Sequence, residues 1–318
     1  LHSLAGKIKR RKEKQMTTIP EPHCTLDDVI DFYLESKSFR KLSVTTQKDY
    51  ERKLSYVSST VVEGKRLGDY RCNKIKVRHL TQAYDIWLDT GIRTANYRKA
   101  CLSCAWKHAM RHDVFIHDPV ALVKTVASGQ RRVYWTNEQI VRFLEMAYSD
   151  FSWRSIGLIV HMAYDWGQRV GDMRLLQWST LDLDQCTMDL TQSKRNAEIH
   201  LPISNSLCKM LRQQKEEWGF QDYVAPRVKP RSGSYTPYNV EEVNPLINEV
   251  LSAAGLPMHL TAMDLRRTAV KEIMEGGGDL LTTIQVTGHK NIASLKNYQV
   301  NTRSGAAKAL AARGIKDD

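Results

Sequence analysis

The sequence has little that commits it to a membrane, a secreted scaffold or a nucleotide site. Its most apolar run, Ile156–Tyr164, falls far short of the ~20 residues a spanning helix needs and is flanked by Arg154 and Asp165. No charged-then-apolar N-terminal pattern reads as a secretory signal. The chain is therefore expected to be soluble and cytoplasmic, with no membrane partner. Cysteine is scarce, six in 318 residues. Cys24, Cys72, Cys186 and Cys208 are scattered, and a chain of this length buries a core without crosslinks, so reduced thiols are expected. Cys101-x-x-Cys104 has no second pair at zinc spacing, and it shares one helical stripe with Tyr97, Ala100, Ala105 and His108, which predicts core rather than metal. Gly276-Gly277-Gly278 follows no strand and reads as a helix terminator rather than a phosphate cradle. With no carboxylate cluster either, neither a metal ion nor another cofactor is expected.

Charge of one sign is plentiful. Lys and Arg number 47 against 35 Asp and Glu, a formal net charge of +12. Such a surplus concerns partners more than fold and points to a polyanion, most commonly nucleic acid. A basic surface kept for solubility would give the same count, so motifs must decide.

Residues 1–24 form a basic tail, with Lys7, Lys9, Arg10, Arg11, Lys12 and Lys14 against Glu13. Leu1 rather than Met opens the chain, which leaves room for residues upstream. Order is expected from Thr25-x-x-Asp28, a capping-box start followed by Leu26, Val29, Ile30 and Tyr33 at helical spacing. Further helices are predicted over Thr45–Val57, around Leu80, Tyr84 and Trp87, and from Tyr97 to Ala109, with breaks at Gly64 and Gly68 and an end at His117-Asp118-Pro119. Four helices and no convincing strand make 25–123 a small all-helical domain. Residues 124–135 read as a linker, carrying Ser128-Gly129, Arg131 and Arg132. In 136–318, Thr136-x-x-Gln139 opens a helix, and a long apolar helix runs Ser155–Trp166 to stop at Gly167. Short strands are predicted at Leu181–Leu183, Thr187–Leu190 and Ile199–Ile203. Helices return from Ser206, Val240, Asp264 and Leu280, and the Ala-rich segment 306–312 forms a terminal one. The fold class is mainly α, a helical N-terminal domain followed by a mostly helical one with a small antiparallel sheet.

Four segments hold cationic or nucleophilic residues in specific company. Gly167-x-Arg169-x-x-Asp172-x-x-x-Leu176-x-Trp178 follows a helix break; Gln192-Ser193-Lys194 lies in the expected hairpin turn; Asp264-Leu265-Arg266-Arg267 opens a helix; Thr287-Gly288-His289 precedes Tyr298. Singly, each has an ordinary explanation. Arg169 and Asp172 at i, i+3 make a helix ion pair, Lys194 a turn lysine, and His289 a histidine at a helix C-terminus. Together and in order, at intervals of 25, 23 and 9 residues (Arg169 to Lys194, Arg266 to His289, His289 to Tyr298), they resemble the tyrosine recombinases, the phage-type integrases. Ala95-Asn96-Tyr97 and Asp118-Pro119-Val120 resemble the core-DNA-binding domain of that family, and the likeness covers roughly residues 25–305.

The resemblance implies a transesterification in which a tyrosine oxygen attacks a DNA phosphodiester, giving a 3′-phosphotyrosyl link and a free 5′-hydroxyl. Arg169 and Arg266 are then the guanidinium clamp on the nonbridging oxygens, His289 a further donor, Lys194 the proton donor to the leaving oxygen and Tyr298 the nucleophile, with Asp172 supporting Arg169. Arg266 and Arg267 project about 100° apart on a helix, and the motif selects Arg266. Double-stranded DNA is the implied partner, with Arg131, Arg132, Lys48 and Arg98 as candidate phosphate contacts. The resemblance also implies a homotetramer on paired sites, accessory DNA-bending proteins, and integration or excision of a mobile element in a bacterial or phage-infected cell. One position departs from the pattern: Met263 stands where the family carries a histidine, with His259 four residues away. A thioether neither accepts the tyrosine proton nor donates strongly to phosphate. Two other readings share the fold, a type IB topoisomerase and a DNA-binding protein with impaired cleavage.

Overall fold

The computed structural model describes residues 19–21, 23–129, 131–193 and 197–288. Most of the basic tail and everything from His289 onward, including the expected terminal helix, lie outside the described residues. The chain separates into two compact units, 1–129 and 130–318. Among the described residues, no helix is long and apolar enough to cross a membrane.

The first unit is built on α1 (Leu26–Leu34), α2 (Lys37–Arg40), α3 (Val44–Ser59), α4 (Val77–Leu88) and α5 (Ile92–Met110). The reciprocal cap is present: Asp28 N donates to Thr25 Oγ1 while Thr25 N donates to Asp28 Oδ2. α1, α3 and α4 all pack on α5. That central position buries more than one stripe of α5 and corrects the sequence expectation. Cys101, Ala105 and His108 are buried, but so are Arg98, Leu102, Trp106 and Ala109, while Ala100 is exposed. Burial pushes the Cys101 thiol up to about 12, which leaves it protonated and inert at neutral pH. The buried indoles are satisfied, Trp87 by Thr60 Oγ1 at 2.8 Å and Trp106 by the His117 carbonyl at 2.9 Å.

This unit is not strand-free. β1 (Val61–Val62) and β2 (Lys65–Arg66) pair antiparallel across Glu63-Gly64, both at positive φ. A two-residue turn of that kind matches strand twist, but two-residue strands leave no alternation to read in sequence. α5 ends at Met110, one residue beyond the predicted Ala109, and α2 is too short to carry a period.

The second unit contains α6 (Asn137–Ser149), α7 (Arg154–Asp165), α8 (Val170–Met173), strands β3 (Leu181–Asp182), β4 (Thr187–Thr191) and β5 (Glu198–Pro202), then α9 (Asn205–Trp218), α10 (Val240–Ala253), α11 (Ala262–Glu275) and α12 (Leu280–Thr287). Every residue from Ser155 to Ala163 is buried, because α7 is surrounded by α6, α9, α10 and α11. The sheet order is β3-β4-β5, all antiparallel, with Leu181 opposite Met188 and Leu190 opposite Ile199. Gln192 and Ser193, which follow β4, lie beside α8 and the end of α12, which gathers these motif segments at one end of the unit.

Two further expectations change. Cys186 and Cys208 are joined as a disulfide, Cα atoms 6.3 Å apart, because the β4–β5 hairpin folds back and returns the start of α9 to the end of β3. Spacing alone does not reveal such a return. Residues 124–135 are also not a free connector. The Val126 N–H donates to Tyr84 Oη inside the first unit, whereas Trp135 is buried in the core of the second and its N–H donates to Thr268 Oγ1 at 2.8 Å.

Candidate active site

α7 ends because Gly167 takes a left-handed conformation, φ +57°, which a Cβ would strain. Chain reversal there presents Gln168 inward and places Arg169 at the N-cap of α8. The Arg169 side chain is 17% exposed, with Nη1 3.1 Å from Gln192 Oε1 and 3.6 Å from Asp172 Oδ2. Asp172 is buried, and its Oδ1 accepts from the Ser193 N–H and Oγ. Asp172 thus makes a long ion pair with Arg169 and also holds Ser193, just past β4.

Arg266 lies on the buried face of α11, 2% exposed, donating through Nη1 to the Gly167 carbonyl at 2.9 Å and through Nη2 to the Thr287 carbonyl at 2.7 Å. Arg267 turns away to Asp264. Gly288 closes α12 at φ +65°, and a Cβ there would stand 2.7 Å from Gln192 Oε1, so the residue before His289 must be small and left-handed. The structure therefore brings together the Arg169, Gln192–Ser193, Arg266 and Thr287–Gly288 segments. Lys194, His289 and Tyr298 themselves lie outside the described residues. Met263, on the first turn of α11, is 48% exposed.

The four candidate phosphate contacts divide. Lys48 and Arg132 are exposed. Arg98 is instead buried, its guanidinium 3.5 Å from the Tyr56 ring centroid and hydrogen-bonded to Thr90 Oγ1 at 2.6 Å. It follows Ala95 by three and precedes Leu102 by four, which places it on the inward face. Arg131 binds Asp264 through Nη2 at 2.8 Å and Nε at 3.0 Å, and also the His259 carbonyl.

Asp264 is fully buried. Burial pushes its carboxyl upward, but hydrogen bonds from Arg131, Thr261 and Arg267 outweigh this and hold it below the ordinary carboxylate range. A depressed folded value gives stability that is present above the unfolded pKa of about 3.9 and lost as pH falls through the folded one. Asp264→Asn should therefore destabilise the protein by about 1–3 kcal/mol at pH 7, less than a wholly buried pair because Arg131 is partly solvated. Denaturant melts from pH 7 to pH 3 should show the gap closing below about pH 3.9.

Sequence reasoning quoted Gln192 within a motif and passed over Gln168, and gave neither a role. Both are buried, and Gln192 joins Gln168, Arg169 and the Thr287 carbonyl. A signal was available: Met188, Leu190 and Gln192 fall on one face by the strand period, so a glutamine continues an inward apolar series.

In this largely helical second unit, two arginines are linked through the Gln192 amide and the Thr287 carbonyl, a cationic framework suited to an anionic substrate. The profile of the phage integrase family matches residues 134–304, and the chain belongs to that family of tyrosine recombinases. The tyrosine recombinase XerC of Bacillus pumilus (strain SAFR-032) is 22% identical over 281 residues, covering 85% of this chain and 89% of its own. The integrase of Escherichia phage HK022 is 22% identical over 286 residues, covering 86% and 75%. Among solved structures, a lambda integrase dimer bound to a COC′ core site aligns with a TM-score of 0.71 at 20% identity, covering 92% of this chain and 79% of that one. The Tn1549 transposon integrase in complex with transposon right end DNA aligns at 0.73 with 14% identity, covering 92% and 100%.

Proposed function

We propose that this site-specific recombinase cuts and rejoins duplex DNA at Tyr298 for integration or excision of a mobile element. The observation that carries the reading is the linkage of Arg169 and Arg266 through Gln192 and the Thr287 carbonyl, next to the segments that continue into Lys194 and His289. Tyr298 gives up its phenolic proton to solvent as Oη attacks phosphorus, the P–O5′ bond breaks, and the 5′-oxygen leaves with a proton from Lys194. Arg169, Arg266 and His289 hold the nonbridging oxygens as charge accumulates, the kind of preorganised stabilisation that is usually the largest catalytic term. Guanidinium charge takes the place a divalent ion holds in many phosphoryl transfers, so the reaction is proposed to run without metal. Lambda integrase forms a tetramer on a Holliday junction, which supports a homotetramer on paired sites here, with DNA-bending proteins as accessory partners.

The test uses a duplex selected by binding from a randomised pool and nicked near the cleavage point. A covalent protein–DNA adduct should form in the presence of EDTA, with the DNA mapping to the peptide that contains Tyr298. A noncovalent complex alone would favour the cleavage-impaired reading, for which Met263 is the specific motive. Met263 is exposed on its helix turn, so a histidine fits without repacking. Met263→His is expected to speed adduct formation at least about 10-fold, with the ~10²–10³ that one missing donor costs as the ceiling. An unchanged single-turnover rate would mean that another group already supplies that bond.

A further inference from the structure

We infer that Gln192 is a positioning residue whose side-chain amide orients Arg169 toward the scissile phosphate and registers it against Arg266. The inference rests on the proposed strand cleavage and concerns a residue that does not itself touch DNA.

The amide orientation follows from hydrogen-bond direction. Gln168 Nε2 faces two carbonyls, Trp166 at 2.9 Å and Val286 at 2.6 Å, which accept only. Gln168 Oε1 is thereby turned toward Gln192, whose Nε2 must donate to it, and the same nitrogen donates to the Thr287 carbonyl at 3.0 Å. Gln192 Oε1 is left as the acceptor for Arg169 Nη1 at 3.1 Å. The reversed amide would set donor against donor at Arg169 and oxygen against oxygen at Gln168 and Thr287. Only one arrangement is consistent, and in it Arg169 meets an acceptor fixed by backbone carbonyls.

The amide is also enclosed. Gln192 is 0% and Gln168 1% exposed, and the Gly288 backbone lies so close that a Cβ would stand 2.8 Å from Gln192 Cδ and Nε2. Hydrogen bonds sheltered in this way are electrostatically stronger than in water. The Thr287 carbonyl that accepts from Gln192 accepts from Arg266 Nη2 as well, so one buried group sets both guanidiniums. The next residue, Ser193, binds Asp172, which fixes the strand turn to both ends of α8. An uncharged amide suits the position. A carboxylate would neutralise Arg169 and present oxygen to the Thr287 carbonyl and Gln168 Oε1.

The experiment compares single-turnover cleavage of a nicked duplex carrying either a phosphodiester or each methylphosphonate diastereomer at the scissile position. Gln192→Met, similar in length but without hydrogen bonds, should lose about 10- to 10²-fold on the phosphodiester, as small misplacements of a catalytic group typically do. The loss should shrink to within about 3-fold on the diastereomer whose methyl replaces the oxygen facing Arg169, the one on which Arg169→Ala is also least harmful. In an Arg169→Ala background, Gln192→Met should add little. Gln192→Glu, tested in parallel in case the methionine variant misfolds, should fall further on the phosphodiester and show the same diastereomer preference. Equal losses on all three substrates, or full additivity with Arg169→Ala, overturn the inference and leave strand cleavage standing. A wild-type protein that forms no adduct on any of them overturns the cleavage reading and the inference with it.

Discussion

Tyr298→Phe should abolish the covalent protein–DNA adduct while leaving affinity for the target duplex within about 2-fold of wild type. The substitution removes one oxygen and keeps the ring, so the DNA-binding surface is preserved and the nucleophile alone is lost. Covalent catalysis has no partial substitute here. Water entering in place of the tyrosine would hydrolyse the strand without conserving the bond for rejoining. The expected fall in adduct yield is at least about 10⁴-fold, comparable to removing a nucleophile elsewhere. Gel analysis of denatured complexes reads the adduct, and a parallel mobility shift reads binding. An adduct at undiminished yield would assign the chemistry to another of the 13 tyrosines.

Arg266→Lys is the second large effect, expected to slow cleavage by about 10³-fold although charge is conserved. The guanidinium spans the Gly167 and Thr287 carbonyls with two nitrogens from a 2% exposed position. A planar fork satisfies both in fixed directions, whereas an ammonium is a point donor on a flexible stem. At least one of these two charge-assisted hydrogen bonds would be lost, adding about 1–3 kcal/mol of destabilisation that a thermal melt should register. Arg169→Lys should be milder in the melt, since Arg169 is less buried. Equal melting losses would imply that the two arginines share one structural role.

Much of this architecture was legible because its causes are local. Thr25 with Asp28 and Thr136 with Gln139 announce helix starts through neighbours three residues apart, and both caps formed. Gly167 ends α7 through its own backbone freedom, and β3, β4 and β5 lie within a residue or two of their predicted bounds. The motif series located Arg169 and Arg266, which the fold brings to one node. What escaped depends on chain reversal or on helix environment. Arg131 meets Asp264 across 133 residues, and Cys186 meets Cys208 only after a hairpin intervenes. Arg98 reads as a surface cation until α5 is seen surrounded on more than one side. Gln192 was visible as a letter in a motif, but its importance lies in the direction of its amide, which spacing does not encode.

The ion pair between Arg131 and Asp264 also joins the start of the second unit to the helix that carries Arg266. The covalent thread from Gly129 reaches Arg131 and is riveted there to the first turn of α11, two residues from Arg266. Arg131, Thr261 and Arg267 all donate to Asp264, so turning α11 about its axis would break those bonds together with the hold of Arg266 on the carbonyls of Gly167 and Thr287.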